Sequence, residues 1–362
     1  MVETKRKLAS VQRIAEIKPI PGADKICAFR CRNWWVVDQK DKYKVGDLCV
    51  YCELGAWLPH NLAPFLSKGK EPRVYEGIVG ERLRSIKLRG QISQGLILPM
   101  TVLDEWDSGE MITIVGEDYY QEGEDVSEVL GIVKWERPIP AQLQGQIKGN
   151  FPPSIPKTDQ TRIQSFSEQT LKEFAEDHLW TVSEKADGTS STYYLSSDGE
   201  FHVCSRNMNL KETEGNTYWE VAKKYEIERR MREADLFGFA IQGEICGPGI
   251  QKNIYELPDH RLFVYNVFEE TSQTYVINSK EIADELLLPH VPILYNEFSF
   301  DPQMEEDACA NDAIVQPLLK MAERKSILNP KTEQEGLVFR SIDDPNTSFK
   351  VISNKFLLKH GE

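Results

Sequence analysis

The chain has 362 residues, 40% apolar and 28% charged, which is the composition of a folded protein; at roughly 100–200 residues per domain, this length predicts two domains. The net charge of −14 argues against a protein that coats nucleic acid through bulk charge, although a local basic groove is compatible with it. The sequence contains no apolar run of about 20 residues, and its charged N-terminus does not resemble a signal peptide. Seven cysteines favour reduced thiols over a disulfide framework. We therefore expect an intracellular protein, cytoplasmic or nuclear, without a membrane partner.

Residues 8–135 have the pattern of an all-β domain. Short runs rich in valine, isoleucine, tryptophan and tyrosine are separated by turns that contain glycine, proline and aspartate. The clearest runs are 34–37, 48–51, 95–98 and 111–115. Strands at this spacing are typical of a small barrel or sandwich, so we assign residues 1–136 to a β domain. Cys49 and Cys52 would point to opposite faces of one strand, which favours buried thiols over zinc ligands.

A proline-rich stretch, residues 137–157, predicts a linker, because closely spaced prolines remove backbone donors. Beyond it the pattern becomes mixed. Helices are predicted at 167–178, 218–234, 280–287 and 308–325. Strands are predicted at 179–185, 191–195, 201–205, 239–245, 261–268, 336–340 and 348–352. Residues 158–362 therefore form an α+β domain of two packed layers.

The strongest local candidate for chemistry is Lys185-Ala186-Asp187-Gly188, at the end of a predicted strand. A two-residue spacing puts Lys185 and Asp187 on one face, and the glycine permits a tight turn. A lysine becomes a nucleophile where burial or a nearby cation disfavours its charged form. A neighbouring carboxylate can hold a divalent metal. The same tetrapeptide also fits an ordinary surface hairpin, so its meaning depends on the rest of the domain.

Further charged residues lie in or beside strands that otherwise carry core residues. They are Arg206, Glu244, Glu335 and Lys350. A charge within a buried strand is costly unless it is paired or used. Charges of both signs in one domain favour a site for an anion and a metal.

The order of these elements resembles the covalent nucleotidyltransferase superfamily of polynucleotide ligases and mRNA-capping guanylyltransferases. The elements similar to its motifs are, in chain order, 185–188, Arg206, Glu244, 263–268, 335–340 and the strand around Lys350. In the N-terminal half, 9–14, 21–24 and 87–96 resemble the OB module of one RNA-ligase family, in which that module precedes the ligase domain. The resemblance covers nearly the whole chain. It implies an OB-type barrel followed by an α+β nucleotidyltransferase domain.

The resemblance also implies the reaction of an ATP-dependent RNA ligase. Lys185 would attack the α-phosphorus of ATP, giving lysyl-AMP and pyrophosphate. The AMP would then pass to a 5′-phosphate end, and a 3′-OH RNA end would displace it, as in the sealing of nicked duplexes during RNA repair. Mg²⁺ or Mn²⁺ and Lys350 would disfavour the protonated form of Lys185. Because each domain can bury its own core at this length, we expect a monomer.

The remaining site residues follow from the same resemblance. It implies Asp187, Glu244 and Glu335 as metal carboxylates that act through the metal's waters, since Mg²⁺ dehydrates reluctantly. Lys350 would hold the α-phosphate, and Arg206 would contact the ribose or a nucleic-acid phosphate. The other nucleotide-binding residues would be Phe263 or Tyr265 stacked on adenine, Val338 on its opposite face, the backbone around Glu184, and Arg162 with Gln164.

Two features are specific to this chain. The segment 68–89 is basic in an otherwise acidic protein, which favours nucleic-acid binding by the barrel over a merely solvated loop. The residues predicted to contact nucleic acid there are Lys68, Lys70, Arg73, Arg84, Lys87 and Arg89. Many polynucleotide ligases carry two lysines in motif V, whereas here the second position is Ile352. One phosphate contact is therefore either missing or supplied by another residue, for which Lys355, also a predicted nucleic-acid contact, is the candidate.

Two alternatives stay open. One is another superfamily member, a DNA ligase or a GTP-using capping enzyme. Those usually carry an OB domain after motif V, whereas here the β-rich module comes first and about a dozen residues follow Lys350. The other is a catalytically inactive RNA-binding protein with an OB module, against which the intact set of charged motif residues argues.

Overall fold

The computed structural model describes residues 6–106, 120–136, 145–177, 179–300 and 309–360. The chain divides into two compact units. The first is Met1–Pro138 with Gln164–Ser167 and Leu357–Glu362, and the second is Ile139–Ile163 with Glu168–Phe356. The predicted strand at 111–115 lies outside the described residues. No helix in the described ranges is long and apolar enough to cross a membrane.

The first unit is built of short strands, as predicted. They are β1 Ala9–Pro19, β2 Ile26–Cys31, β3 Trp34–Gln39, β4 Leu48–Cys52, β5 Ala56–Pro59, β6 Arg73–Tyr75, β7 Ile78–Arg82, β8 Ile86–Leu88, β9 Gln91–Ser93, β10 Leu96–Leu98 and β11 Val133–Lys134. They form a five-stranded sheet in the order β10-β4-β1-β2-β3, a four-stranded sheet in the order β11-β5-β7-β6, and the β8–β9 ribbon. The same unit contains the 3₁₀ turn Pro64–Ser67 and helix α1 (Thr101–Trp106).

The core of this unit contains four of the cysteines. Cys27, Cys31, Cys49 and Cys52 are buried in one hydrophobic cluster. The buried-thiol interpretation is thus confirmed. Burial also raises the pKa of the Cys52 thiol. These thiols are therefore packing residues with low reactivity.

The second unit contains two sheets and most of the helices. Its strands are β12 Ile147–Asn150, β13 Thr161–Arg162, β14 Trp180–Lys185, β15 Thr189–Leu195, β16 Phe201–Ser205, β17 Met208–Leu210, β18 Phe239–Cys246, β19 Arg261–Glu269, β20 Thr274–Tyr275, β21 Ile293–Phe298, β22 Gly336–Ser341 and β23 Ser348–Ile352. The helices that follow α1 are α2 Glu168–Asp177, α3 Thr217–Lys224, α4 Ile227–Glu233, α5 Ser279–Glu285, α6 Gln316–Ala322 and α7 Asn354–His360.

The two sheets of this unit meet at the candidate motif. One is antiparallel with seven strands in the order β12-β17-β16-β15-β18-β19-β20; the other has the order β13-β23-β22-β14-β21, with β13 parallel to β23. Strand β14 belongs to the second sheet and β15 to the first. The chain therefore passes from one sheet to the other through Ala186, Asp187 and Gly188.

Strand periodicity gives the five-stranded sheet two different faces. Phe339 and Phe349 are opposite each other on β22 and β23, fully buried, with ring centroids 4.7 Å apart. Trp180 packs on Phe349 at 4.8 Å. The neighbouring positions, Val338 and Lys350, are also opposite each other and lie on the other face. One face thus holds the core, and the other carries candidate site residues.

Three sequence predictions differ from the structure. The predicted helix 218–234 is two helices, because Glu226 between them has a left-handed φ of 51°. The predicted helix 308–325 is a π-helical turn, Asn311–Val315, followed by α6, whose first turn contains Pro317 and so lacks one backbone donor. Within the segment predicted as a linker, β12 adds an edge strand beside β17.

The ring stack predicts the effect of one core substitution. Phe339→Ala should lower the free energy of unfolding of the second unit by about 3–5 kcal/mol, because a buried aromatic side chain leaves a cavity. The midpoint of urea unfolding, followed by tryptophan fluorescence, measures this loss. The control Ile277→Ala changes a residue that is 54% exposed and should shift the free energy by less than about 0.5 kcal/mol. Equal losses in the two variants would contradict this assignment of the core.

Candidate active site

The motif turn brings Lys185 next to the seven-stranded sheet. The turn requires a glycine at position 188, because the backbone passes very close to strand β18 there. A Cβ on Gly188 would lie 2.4 Å from the carbonyl oxygen of Ile245 and 2.8 Å from Cγ of Glu244. The backbone N–H of Asp187 donates to the hydroxyl of Tyr255 at 2.7 Å, which fixes the turn from the other side.

The amine of Lys185 lies among carboxylates. Its Nζ is 2.7 Å from Glu335, the residue immediately before β22, and both side chains are mostly buried. Burial alone would lower the pKa of Lys185, but the negative charges of Glu335, Glu244 and Asp187 outweigh it and raise this pKa above its ordinary value. The same crowding, after burial as the main cause, raises the pKa of Glu244 to about 8. The site therefore holds an excess of negative charge in a poorly solvated place.

These carboxylates do not form a direct three-ligand metal site. Across the described part of the chain, no three histidine, cysteine, aspartate or glutamate side chains come close enough to hold one ion together. Glu335 contacts the amine of Lys185 directly, whereas Glu244 and Asp187 act on the pKa of Lys185 through their negative charge. Contact with a hydrated cation, through its waters, is compatible with such a donor set.

A second group of charges surrounds Asp159, just upstream of β13. Lys350 Nζ lies 3.1 Å from its Oδ1, and Arg206 Nη2 lies 3.1 Å from its Oδ2. Two cations predicted to contact phosphate or ribose therefore converge on one carboxylate. Asp159 lies in the peptide 157–164, from which the sequence interpretation took only Arg162 and Gln164.

Strand register places several predicted residues in one row. Ser183 on β14, Val338 on β22, Lys350 on β23 and Arg162 on β13 are successive cross-strand partners. Directly paired residues project to the same face of a sheet. Lys185, two residues after Ser183, shares that face. The structure thus brings Lys185, Val338, Lys350 and Arg162 to one surface of the five-stranded sheet.

The opposite sheet presents its aromatic residues through a β-bulge. Gln242 pairs with Asn266 and Gly243 with Val264, so Tyr265 has no partner on β18. Such bulges redirect a side chain. The hydroxyl of Tyr265 lies 3.0 Å from the hydroxyls of both Thr158 and Ser190. Phe263, paired with Glu244, is buried in the same small hydrophobic cluster as Ala186 and Tyr255.

Glu184 faces away from this site. Its side chain is on the core face of β14 and accepts hydrogen bonds from Ser326 Oγ at 2.5 Å and from the backbone N–H of Ile327 at 2.7 Å. Burial raises the pKa of its carboxyl group above the ordinary value, and the two hydrogen-bond donors offset only part of this rise. Its own N–H donates to the carbonyl of Pro292. Glu184 therefore fixes the loop that precedes Glu335, a role that sequence reasoning did not find.

The surroundings of two more predicted residues are also defined. Gln164 belongs to the first unit, where its carbonyl accepts from Asn33; its side chain is buried, with an Oε1 that has no hydrogen-bond partner in the described ranges. Lys355, on α7, pairs with Glu323 at 3.2 Å. Ile352, the motif V position that Lys355 was expected to compensate, is buried on β23.

The basic residues of the first unit are displayed to solvent. Lys68, Lys70, Arg73, Arg84, Lys87 and Arg89 are all exposed. Lys87 lies on the β8–β9 ribbon and Arg89 at its turn, where φ is 49°. Arg73 also pairs with Glu81.

Comparisons with known proteins agree with this architecture. Residues 8–100 match an OB-fold domain model, and residues 178–352 match the RNA ligase model. The RNA ligase of Naegleria gruberi has a similar structure. A ligand-free aspartate-to-alanine variant is 35% identical, with 98% of each chain covered and a TM-score of 0.82. A lysine-to-alanine variant with ATP and Mn is 35% identical, with 98% of this chain and 99% of that chain covered and a TM-score of 0.83.

The chain belongs to the RNA ligase family. The predicted order, an OB-type barrel and then a nucleotidyltransferase domain, is confirmed. A search of curated proteins gave no match. Solved variants of the Naegleria ligase include replacements of, in chain order, a lysine, an aspartate two residues later, two glutamates and a further lysine. Lys185, Asp187, Glu244, Glu335 and Lys350 of this RNA ligase follow the same order.

The close approach at Gly188 gives a test of this site. Gly188→Ala should lower RNA-joining activity on the order of 100-fold, because the new methyl group must displace Ile245 and Glu244, and misplacement by about 1 Å has effects of this size. Joining rates measured on a denaturing gel test this. Gly149→Ala is the matched control, since its Cβ would meet nothing within 4 Å. Full activity of the Gly188 variant would show that the turn tolerates movement.

Proposed function

We propose that this RNA ligase uses ATP and a divalent cation to adenylylate Lys185 and then joins RNA ends through that intermediate. The observation that supports this best is the placement of Lys185, where two sheets meet, with three carboxylates acting on its amine and Lys350 on the same sheet face. Structures of the Naegleria ligase with ATP and Mn support the choice of nucleotide and cation.

In the first step Nζ of Lys185 forms a bond to the α-phosphorus, and the bond from that phosphorus to the β-phosphate oxygen breaks to release pyrophosphate. Nζ must lose a proton. The Glu335 carboxylate, 2.7 Å away, is the group placed to accept it. Lys350 and Arg206 would bind phosphate oxygens and hold the reacting groups in line.

A cation fits the charge of this site. Asp187, Glu244 and Glu335 would hold it through its waters. Burial and, after it, repulsion by Glu335 and Asp187 raise the pKa of Glu244 to about 8, and a cation would offset that concentration of negative charge. Such a cation, when bound, neutralises phosphate oxygens and offsets the negative charge that keeps Lys185 protonated.

The adenine would bind between the two sheets of the second unit. Tyr265, redirected by the bulge, and Phe263 are the aromatic candidates for one face of the base, with Val338 for the other. Arg162 is next to Lys350 in the sheet and would contact the nucleotide from that side. Gln164, two residues after Arg162, is the other proposed nucleotide contact from this peptide.

The later steps would transfer AMP from Lys185 to a 5′-phosphate and let a 3′-OH RNA end displace it, at nicks in duplexes. The exposed cations of the first unit support a surface that binds the phosphate backbone of RNA. They are concentrated in one segment of a protein whose net charge is −14. We propose a monomeric enzyme.

Lys185→Ala tests the reaction. It should abolish covalent labelling by α-labelled ATP, because no amine is present to form the bond to phosphorus, yet it should still join RNA that carries a ready-made 5′-adenylate. Labelled protein on a denaturing gel, followed by peptide mapping, measures the first outcome. Lys223→Ala, an exposed lysine paired with Glu212, should label fully.

Label on another lysine would overturn the site assignment. Label from GTP, or equal joining of DNA 3′-OH ends, would favour a capping enzyme or a DNA ligase instead. A wild-type protein that takes no label with either Mg²⁺ or Mn²⁺ would favour an RNA-binding protein without catalysis.

The basic segment predicts a salt effect. Lys87→Ala and Arg89→Ala should each weaken binding of nicked RNA duplex and reduce the slope of log affinity against log salt by about 0.9, since each removes one phosphate contact. Fluorescence anisotropy at several salt concentrations measures this. Lys42→Ala, which removes a cation paired with Asp38 in the same unit, should leave the slope unchanged. An unaltered slope in both ribbon variants would place the RNA elsewhere.

A further inference from the structure

One carboxylate connects two cations of the proposed phosphate site. Asp159 receives Lys350 on Oδ1 and Arg206 on Oδ2, each at 3.1 Å. The exposed fraction of the side chain is 17% for Lys350, 31% for Asp159 and 50% for Arg206. The cluster is therefore partly shielded, and its charges interact more strongly than those of a fully exposed pair.

The peptide that carries this carboxylate is fixed on both sides of Asp159. On one side, the Thr158 hydroxyl lies 3.0 Å from the hydroxyl of Tyr265 and 3.2 Å from that of Ser190. On the other, the short strand β13 pairs in parallel with β23, so that Arg162 lies opposite Lys350. The peptide 158–162 thus links the bulge of one sheet to the edge of the other. Asp159 has little freedom to follow its partners, so they are positioned by it.

The geometry resembles that of a bound phosphate. Two oxygens on one centre, each receiving a cation at hydrogen-bond distance, are what a phosphate group also offers. A lysine has a flexible four-carbon stem, and its ammonium must be localised before it can stabilise charge at one point. A carboxylate that holds Lys350 and Arg206 together supplies that localisation before the substrate binds.

We propose that Asp159 is a positioning residue, which orients Lys350 and Arg206 for the phosphate chemistry at Lys185. The proposal rests on the proposed function, since it assumes that these two cations bind substrate phosphate. It assigns a role in the rate of lysine adenylylation, not in the overall affinity for ATP. Asp159 itself does not touch the reacting atoms.

The experiment is a double-mutant cycle on the full-length protein. Single-turnover labelling by α-labelled ATP is followed in wild type, Asp159→Ala, Lys350→Ala and the double variant, over a range of ATP concentrations. We expect Asp159→Ala to lower the maximal rate by about 10-fold or more, within the range that a small misplacement produces, and to change the half-saturating ATP concentration by less than threefold. In the Lys350→Ala background, Asp159→Ala should lower the rate by a clearly smaller factor than in the wild type, because one of its two partners is already gone and only Arg206 is left for it to orient.

Two further variants separate positioning from folding. Asp159→Asn keeps one acceptor oxygen without the charge and should fall between wild type and Asp159→Ala. Glu200→Ala removes a surface carboxylate that pairs with Lys148 in the same unit, and its labelling rate should match wild type. Urea unfolding of each variant shows whether a slower rate reflects loss of structure.

Several outcomes would overturn the proposal. Equal effects of Asp159→Ala with and without Lys350 would show that it acts independently of that lysine. Tighter ATP binding at an unchanged rate would make Asp159 a competitor of the substrate instead. A normal rate in Asp159→Ala would leave the cluster as a structural ion pair only. Absence of label in the wild type would instead refute the proposed function, which distinguishes the two failures.

Discussion

The site depends on keeping a lysine amine in a partly buried place by surrounding it with carboxylates. A charged amine loses hydration free energy on burial, and an isolated one would lose its proton. Glu335 offsets that loss through a 2.7 Å ion pair, with Glu244 and Asp187 contributing at longer range. The same charges then make Glu244 hard to ionise. A site of this kind is balanced only when further positive charge enters it, and both a cation and the cationic side chains of Lys350 and Arg206 would bring such charge.

This arrangement is possible because side chains alternate between the two faces of each strand. On β14, Trp180, Val182 and Glu184 face the core, while Ser183 and Lys185 face the site. A slip of one residue would exchange the two sets. Two features resist such a slip: the phenylalanine and tryptophan rings behind the sheet, and the Glu184 carboxylate, which accepts from the Ser326 hydroxyl and the Ile327 N–H. The core therefore fixes which face of the sheet carries Lys185.

The sequence allowed the strands, the order of domains and most of the charged site residues to be predicted, because each depends on local pattern or on the order of motifs. Lys185, Glu244 and Glu335 could be selected as charges beside apolar strands. Other features could not be read in this way. The bulge at Tyr265 depends on pairing between β18 and β19, and the break at Glu226 depends on one backbone angle.

Residues that act through distant partners were the hardest to find. For Glu184 the resemblance implies a nucleotide contact through the backbone, and it gives no role for the side chain, which alternation turns to the opposite face, where it binds Ser326. Asp159 was overlooked because its partners are 47 and 191 residues away in the chain. A carboxylate in a polar peptide has no local mark of such a role. Only the fold shows that it receives two cations.

The isoleucine in motif V can be understood from the same geometry. Ile352 is buried on β23 and pairs with Gly336 on β22. The backbone is tightly packed at this pair, since a Cβ added to Gly336 would lie 2.2 Å from the carbonyl oxygen of Val351. A lysine at 352 would have to leave this packed position to expose its charge. Lys355 is held by Glu323, whereas Arg206 already converges with Lys350 on Asp159. We therefore assign the second cation of the proposed phosphate site to Arg206, from the opposite sheet, and not to a neighbour of Lys350 in sequence.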